Sequence, residues 1–236
     1  MSTETFFSAN AVDLEGTGVD LEDIHAKSFE EVASRQGVIF GQDEFRQFVG
    51  AGDEAIAKAI AEMFGSDADH RTIRAQKNDI YRAVLHSHPV MPREGFVEYL
   101  EEVRSLGGKL VIASITPDGD AEYILRRSGL LKFFQPDHIL TESSVTNRKP
   151  HPEIYTTAAR ILGVSTTPER MLVHEDSPTG VTAGKRAGAR VAAFPVHEGL
   201  QFPDAPDATF SSWVGVTPKV VYDRVMSARP RGSSGR

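Results

Sequence analysis

The feature that most constrains the fold is a repeated succession of short apolar runs, each followed by a helical pattern. Buried strands are predicted by four runs that lack a polar face: KLVIAS, MLVHED, RVAAFP and the shorter HIL at 138–140. Helical spacing is seen in Phe96, Leu100 and Val103, and HPEIYTTAARILG ends at Gly163 as a helix with a glycine stop would. This alternation predicts an α/β fold, a Rossmann-like three-layer core whose mostly parallel sheet has helices on both faces.

One region interrupts the alternation, because the patterns between about residues 21 and 88 are helical and no strand is convincing. Two apolar stripes occur there, one at Ile56, Ile60, Met63 and Phe64 and one at Phe45, Phe48 and Val49. We therefore expect a small α-helical cap domain inserted after the first strand. The expected bounds are residues 21–88 for the cap, 1–20 and 89–228 for the core domain, and 229–236 for a flexible polar tail.

Composition narrows the classes of function. A net charge of −7 disfavours nucleic acid as the main partner, and the absence of cysteine excludes disulfides, thiolate metal sites and cysteine nucleophiles. No run approaches the ~18 consecutive apolar residues of a membrane helix. The first ten residues also lack the basic flank and apolar run of a secretory signal. We expect a cytoplasmic protein, a monomer or small homo-oligomer, that binds neither membrane nor nucleic acid.

Polar side chains stand where the predicted strands end. In open parallel sheets the ligand site lies at the carboxyl ends of the strands. Four separated segments supply these side chains: Asp13 and Glu15 after the first strand, Ser114 and Thr116 after the second, Lys149 in NRKPHPEIY, and Glu175 and Asp176 at the end of MLVHED. The sequence therefore predicts a common rim of acids, hydroxyls and one cation.

This arrangement resembles the haloacid dehalogenase-like superfamily, in the branch of beta-phosphoglucomutases and small sugar-phosphate phosphatases. The similarity runs from about residue 11 to residue 195. VDLEGTGVDLEDIHAKSFEEV is similar to the first motif of the family, usually Asp-x-Asp-Gly-Thr; VIASITP resembles the second, RKPHPEIY the third and HEDSPTGVTAGKRAGA the fourth. Four motifs in order, at fitting separations, make the resemblance specific.

The resemblance implies a phosphomonoester hydrolase that acts on a small phosphorylated metabolite, such as a sugar phosphate, through an aspartyl-phosphate intermediate. Asp13 would be the nucleophile, and Glu15 would donate and later accept a proton. Lys149 would balance charge, while Ser114 and the backbone N–H groups around Ile115 would hold phosphate oxygens. Simpler interpretations stay open: a turn acid for Asp13, a surface lysine for Lys149 and a small strand-end residue for Ser114.

The resemblance also implies a Mg²⁺ cofactor. Its ligands would be Asp13, the backbone carbonyl of Glu15 and Asp176, with Glu175 nearby. The alternative for the two later acids is helix capping, since Ser177 and the proline that follows it already have the pattern of an N-cap and a first helical position. The two roles are compatible.

Glu15 stands where the family more often has aspartate. The two carboxyl groups have similar unperturbed pKa values, so the acid–base chemistry survives. The extra methylene moves the carboxyl group by about 1.5 Å, and a displacement of about 1 Å can lower a rate on the order of a hundredfold. Some branches of the superfamily also carry Asp-x-Glu-Gly. Retention of an acid here favours phosphorus chemistry over dehalogenation.

The helical insert would close over the site and recognise the substrate. His25 matches a histidine of the mutases, although a helix-surface histidine explains it equally well. Gly50 lies in a Gly-Ala-Gly turn that would allow close approach of the backbone to substrate. Asp53 could accept hydrogen bonds from sugar hydroxyls or serve as an acid at a helix N-terminus.

A phosphosugar mutase is the main alternative function. A mutase must hold a second phosphate, and the family uses cations at positions that correspond to Val49, Asp53 and Pro117. Hydrolysis therefore ranks above isomerisation. Two further alternatives are a catalytically degenerate binding protein of the same fold and a metal site at His86 and His88, for which no third ligand is identifiable.

Overall fold

The computed structural model describes residues 6–48, 53–64 and 69–228. The chain divides into two compact units, a core unit of residues 1–19 and 91–236 and a helical unit of residues 20–90. Strands lie in the core unit, and the described part of the helical unit between residues 20 and 90 consists of helices and their connections. The predicted fold class, an α/β core with a helical insertion after the first strand, is confirmed. The predicted tail at 229–236 lies outside the described residues.

The core unit is built on a parallel sheet. Its strands are β1 (Ala9–Val12), β2 (Lys109–Ala113), β3 (Ile139–Leu140), β4 (Met171–Glu175), β5 (Arg190–Ala193) and β6 (Ala208–Thr209), in the order β3-β2-β1-β4-β5-β6. Val12 pairs with Ile112 on one side and with His174 on the other, so β1, β2 and β4 end nearly level. The two-residue strand β6 was not predicted, because it is too short to show a pattern.

The described residues of the helical unit form four helices: α1 (Glu22–Arg35), α2 (Gln42–Arg46), α3 (Asp53–Phe64) and α4 (His70–Ser87). The predicted apolar stripe of α3 is buried at Ile56 and Ile60, and Phe45 of α2 is buried with them. Met63 is 51% exposed, which contradicts that part of the stripe. Met63 is exposed because it lies in the last turn of α3, beyond the buried middle of the helix. Val49 and the Phe64 side chain lie outside the described residues.

The helices of the core unit are α5 (Phe96–Ser105), α6 (Asp118–Arg127), α7 (Glu153–Leu162), α8 (Pro178–Arg186) and α9 (Pro218–Ser227), with short 3₁₀ turns at Leu130–Phe133, Pro136–His138, Glu142–Ser144 and Pro168–Arg170. Helix α7 ends where predicted, at Gly163, whose φ of 81° is in the left-handed region that glycine tolerates. Helix α8 begins at the predicted cap, because the Ser177 side chain accepts a hydrogen bond from the Gly180 N–H and Pro178 follows.

Alternate residues of the strands face opposite helical layers. Ala11, Val111 and Val173 pack against α7 and α8. On the other face, α5 and α9 cover an aromatic group in which Phe194 and Trp213 stack at 3.4 Å between ring centroids. This is the three-layer arrangement that the alternation predicted. Within residues 6–48, 53–64 and 69–228, no helix combines the length and the apolar character that crossing a membrane requires.

Candidate active site

The polar residues predicted for the rim lie at the carboxyl ends of neighbouring strands. Asp13 directly follows β1, and its backbone N–H donates to the carbonyl of His174 at 3.0 Å. Ser114 follows β2, Glu175 is the last residue of β4, and Lys149 reaches the same place from the loop before α7. Because β1 lies between β2 and β4, the strand order itself assembles these groups.

The centre of the site is a buried cluster of charges. The Lys149 Nζ lies 2.6 Å from Asp13 Oδ1 and 2.6 Å from Glu175 Oε1. Carboxylate oxygens of Asp13, Glu175 and Asp176 all lie within 4.8 Å of one another. One ammonium therefore faces three acids, which leaves an excess of negative charge in a place with little access to water.

Donors surround the Glu175 carboxylate, which is inaccessible to solvent. Its Oε1 accepts from Lys149 and from the Tyr155 hydroxyl, each at 2.6 Å. Its Oε2 accepts from the Ser177 hydroxyl at 3.0 Å and from the backbone N–H groups of Asp176 and Ser177. Glu175 thus anchors the lysine, and its own position is fixed by the start of α8.

The pKa values of the cluster reflect this burial. Burial raises the pKa of Asp13; the Lys149 ammonium opposes the shift and the Glu175 carboxylate adds to it, so the pKa reaches about 7. Burial, followed by repulsion from Glu175 and Asp13, holds the pKa of Asp176 well above its usual range. For Lys149, burial alone would lower the pKa, but the charges of Asp13 and Glu175 outweigh it and raise the pKa.

The donor set of this cluster fits a hard divalent cation. Carboxylate oxygens are the ligands that Mg²⁺ prefers, and a bound cation would lower the pKa values that burial and then mutual repulsion raise. The loop after β1 leaves room for the Asp176 carboxylate, because residue 16 is glycine. Gly16 has a φ of 81°, and a Cβ there would collide with that carboxylate. The Thr17 hydroxyl donates to Asp176 Oδ1 at 3.1 Å.

Hydroxyl groups form the side of the site next to β2. The Ser114 Oγ and the Thr116 Oγ1 lie 2.9 Å apart, and the Thr116 hydroxyl donates to Glu15 Oε1 at 2.5 Å. The side chain of Ile115, between them, is partly buried against the α7–α8 side of the sheet. The phosphate contacts expected of Ser114 and of the backbone near Ile115 stay predictions.

Three functional contacts were missed at the sequence level. Tyr155 lies inside the third motif, PEIY, and it is buried in α7. The available signal was its hydroxyl, because a buried tyrosine hydroxyl needs a hydrogen-bond partner, which here is Glu175. Thr17 belongs to the first motif. Arg93 had no signal: its guanidinium donates to the carbonyls of Gly16 at 2.7 Å and Phe194 at 2.6 Å, which holds the loop after β1.

The helical unit contains a second buried cluster. Lys77 is 1% exposed; its Nζ lies 2.5 Å from Asp53 Oδ2 and 2.8 Å from His25 Nδ1. The ammonium also lies over the rings of Phe29 and Tyr81, 5.1 and 4.8 Å from their centroids. Lys77 was missed, although it falls on the apolar face of α4. The predicted residue Gly50 lies outside the described residues.

Histidines do not assemble a competing metal site in the part of the chain that the structure describes. There, the group of three ligands that could hold an ion is Asp13, Glu175 and Asp176. His88 instead contacts the Val84 carbonyl at 2.9 Å and Lys27 at 3.3 Å. Among the described residues, the carboxylate cluster is therefore the candidate metal site.

A buried acid, a lysine and an acid pair at the carboxyl end of a parallel sheet are typical of an α/β enzyme site. The family profile described as haloacid dehalogenase-like hydrolase matches residues 11–194. The chain belongs to this family.

Its relatives include the phosphorylated carbohydrates phosphatase of Thermotoga maritima, which is 31% identical over 75% of this chain and 79% of its own. The validoxylamine A 7'-phosphate phosphatase of Streptomyces hygroscopicus subsp. limoneus is 29% identical over 75% and 80%. A family hydrolase structure from Entamoeba histolytica superposes with a TM-score of 0.78 at 24% identity, over 93% of this chain and all of that one, which supports the fold. The chain thus falls among the phosphatases of the family.

Proposed function

We propose that this protein is a Mg²⁺-dependent phosphomonoester hydrolase that transfers the phosphoryl group of a small metabolite to Asp13 and then to water. The observation that carries the proposal is the cluster of Asp13, Glu175, Asp176 and Lys149. A carboxylate that attacks a phosphate dianion requires compensation of negative charge, and this cluster offers both the nucleophile and the means of compensation.

In the first step, a carboxylate oxygen of Asp13 attacks phosphorus, and the bond from phosphorus to the ester oxygen breaks. Glu15 gives its proton to the departing alkoxide, which leaves as an alcohol. In the second step, Glu15 takes a proton from water, the water oxygen attacks phosphorus, and inorganic phosphate leaves Asp13. The charge of Lys149, which Glu175 and Tyr155 hold in place, favours the carboxylate form of Asp13.

The Mg²⁺ ion would be held by Asp13, Asp176 and the Glu15 carbonyl, with Glu175 beside them. When bound, it would neutralise negative charge on the transferring phosphoryl group. On the chain's own side, Ser114 is placed to donate to a phosphate oxygen at the end of β2.

The proposed substrate is a sugar phosphate, which is supported by the names of the relatives. One is named for phosphorylated carbohydrates, and another is named as a fructose-1-phosphate phosphatase. We propose that His25, Gly50 and Asp53 of the helical unit recognise the leaving group. Asp53 is an acid at a position where a mutase of the family has a cation. Its carboxylate is paired with Lys77 of the same unit. Hydrolysis therefore ranks above isomerisation.

The direct experiment is to trap the intermediate. Rapid acid quench of a turnover mixture with Mg²⁺, followed by peptide mass spectrometry, should locate a phosphoryl group on Asp13. Asp13→Asn is the matched control and should carry none. A phosphoryl group on another residue, or release of phosphate by Asp13→Asn at the wild-type rate, would reject the mechanism. A panel of sugar, nucleotide and glycolytic phosphates, compared by kcat/KM, would then identify the substrate class.

A further inference from the structure

Thr116 has a contact that neither the proposed chemistry nor the family comparison assigns. Its side chain is buried at 5% exposure, one strand away from the loop that carries Glu15. The Oγ1 lies 2.5 Å from Glu15 Oε1 on one side and 2.9 Å from Ser114 Oγ on the other. Thr116 therefore joins the predicted proton donor to the predicted phosphate ligand.

The chemistry of the groups fixes the direction of these hydrogen bonds. An unprotonated carboxyl oxygen can only accept, and a threonine hydroxyl has a single proton to donate. That proton goes to Oε1 of Glu15, which leaves Oε2 to carry the proton for the leaving group. Thr116 then accepts from Ser114 in the substrate-free protein, and the Ser114 hydroxyl would turn to a phosphate oxygen when substrate binds. A hydrogen bond to a charged acceptor is stronger and shorter than one between neutral groups, which agrees with the 2.5 Å separation.

The backbone holds Thr116 rigidly at this place. Its carbonyl accepts from the N–H of Glu142 at 3.1 Å, and the N–H of Ser114 donates to the carbonyl of Leu140 at 3.1 Å. Both contacts tie the end of β2 to the segment around β3. The hydroxyl of Thr116 is thus a fixed point against which a longer side chain can be oriented.

We propose that Thr116 is a positioning residue that holds the carboxyl group of Glu15 where it can serve the leaving oxygen. The inference rests on the proposed function. Glutamate has one more rotatable bond than aspartate, so its carboxyl group has more orientations to lose on reaching a productive geometry. The hydroxyl of Thr116 removes that freedom. Its contribution therefore depends on the presence of glutamate at position 15.

The first test compares leaving groups. Thr116→Val keeps the shape of the side chain and removes the hydroxyl, and Thr116→Ser keeps the hydroxyl. For an alkyl phosphate such as a sugar phosphate, Thr116→Val should lower the single-turnover rate of alcohol release about tenfold, which is the order of one hydrogen bond. For p-nitrophenyl phosphate, whose leaving group needs no proton, the single-turnover rate of p-nitrophenolate release should stay within about twofold, and Thr116→Ser should stay near wild type on both. These rates report the first step alone, before Glu15 takes a proton from water. Equal losses on the two substrates would show a phosphate-binding or structural role and overturn the proposal.

The second test is a double-mutant cycle with Glu15→Asp. Aspartate is too short to make the same contact, so Thr116→Val should cost about tenfold in the Glu15 protein and little in the Glu15→Asp protein. Equal costs in the two backgrounds would show that Thr116 acts independently of Glu15, against the proposal.

A third measurement does not depend on turnover. Crystal structures of the wild-type protein and of Thr116→Val should show one Glu15 side-chain orientation in the former and several in the latter. An unchanged single orientation in Thr116→Val would overturn the positioning role even if no substrate is ever turned over. A different result would separate the two proposals. If no phosphoryl group is found on Asp13, but the Glu15 side chain has a single orientation that is lost in Thr116→Val, then the proposed function is rejected and the positioning contact is retained.

Discussion

Each unit of the protein buries one lysine among acids and aromatic rings, and the two lysines differ in how their charge is balanced. Lys149 of the core unit faces Asp13 and Glu175, with Asp176 close by. Lys77 of the helical unit faces one acid among the described residues, Asp53, whose side chain is 34% exposed. The first cluster has more acids than cations, and in the second the described acid and cation are equal in number.

The difference distinguishes the candidate active site from a closed ion pair. Burial of an unbalanced acid raises its pKa, as it does for Asp13, and makes an additional cation favourable. A balanced pair needs no further ion, and the rings of Phe29 and Tyr81 complete the surroundings of Lys77. We therefore expect divalent cations and substitutions of acids to affect the core cluster strongly and the helical cluster weakly.

The largest effect is expected for Asp13→Asn. The amide cannot form the acyl phosphate, so kcat should fall on the order of a thousandfold or more. Steady-state release of inorganic phosphate with Mg²⁺ measures it. The control is Asp223→Asn, which changes an exposed acid on α9 and should leave kcat unchanged. Wild-type turnover by Asp13→Asn would mean that the unbalanced cluster is not the reactive one.

Removal of divalent cations should have the next largest effect. EDTA should lower kcat on the order of a hundredfold or more, and added Mg²⁺ should restore it. Independently of turnover, Mg²⁺ should raise the melting temperature of the wild-type protein, because a ligand that binds the native state stabilises it. In Asp176→Asn this stabilisation should be much smaller. An equal rise in both proteins would place the cation elsewhere.

The two lysines can be compared directly by stability. Lys149→Met leaves three acids without their cation and should lower the free energy of unfolding by about 3–5 kcal/mol in EDTA, with a partial recovery in Mg²⁺. Lys77→Met leaves one acid that reaches solvent and should cost about 1–2 kcal/mol, with no response to Mg²⁺. Urea unfolding with and without Mg²⁺ measures both. A Mg²⁺ response in Lys77→Met would contradict the assignment of that cluster as a closed ion pair.

Much of the core unit could be predicted from the sequence, since continuous apolar runs and strand-end acids are local signals. The alternation gave the parallel sheet, and parallel strands necessarily bring Asp13, Ser114 and Glu175 to one edge. Lys77 and Arg93 could not be found in this way. Their roles depend on partners 24 and 77 residues distant in the chain, and a single charged residue has no periodicity to mark it. Met63 is the opposite case. It belongs to a regular apolar stripe and was expected to be buried, but periodicity does not show at which turn of a helix the buried face ends.

A third buried group extends the comparison to an ionisable side chain that forms no ion pair with any residue described in the structure. His174 of β4 is inaccessible to solvent; its Nε2 lies 2.8 Å from the Tyr99 hydroxyl and its Nδ1 lies 3.2 Å from the Ala11 carbonyl. Burial lowers its pKa to about 4 from the ordinary value of 6.5, against the opposing effect of its hydrogen bond to the Ala11 carbonyl. Burial therefore favours the neutral form of His174, as it does for Asp13 and Asp176, but here no described lysine opposes it.

This lowered pKa makes the free energy of unfolding depend on pH. As the pH falls below 6.5, the unfolded chain takes up a proton at His174 while the native protein does not until about pH 4, so the free energy of unfolding decreases across this window. The total is about 3 kcal/mol, from about 1.4 kcal/mol per pH unit. In His174→Gln, whose amide can meet the same two partners without titrating, this component should vanish. The difference between the two proteins in urea unfolding at each pH isolates it from the carboxylates, and a difference that does not change between pH 6.5 and 4 would show that His174 is charged in the native state or shielded in the unfolded one.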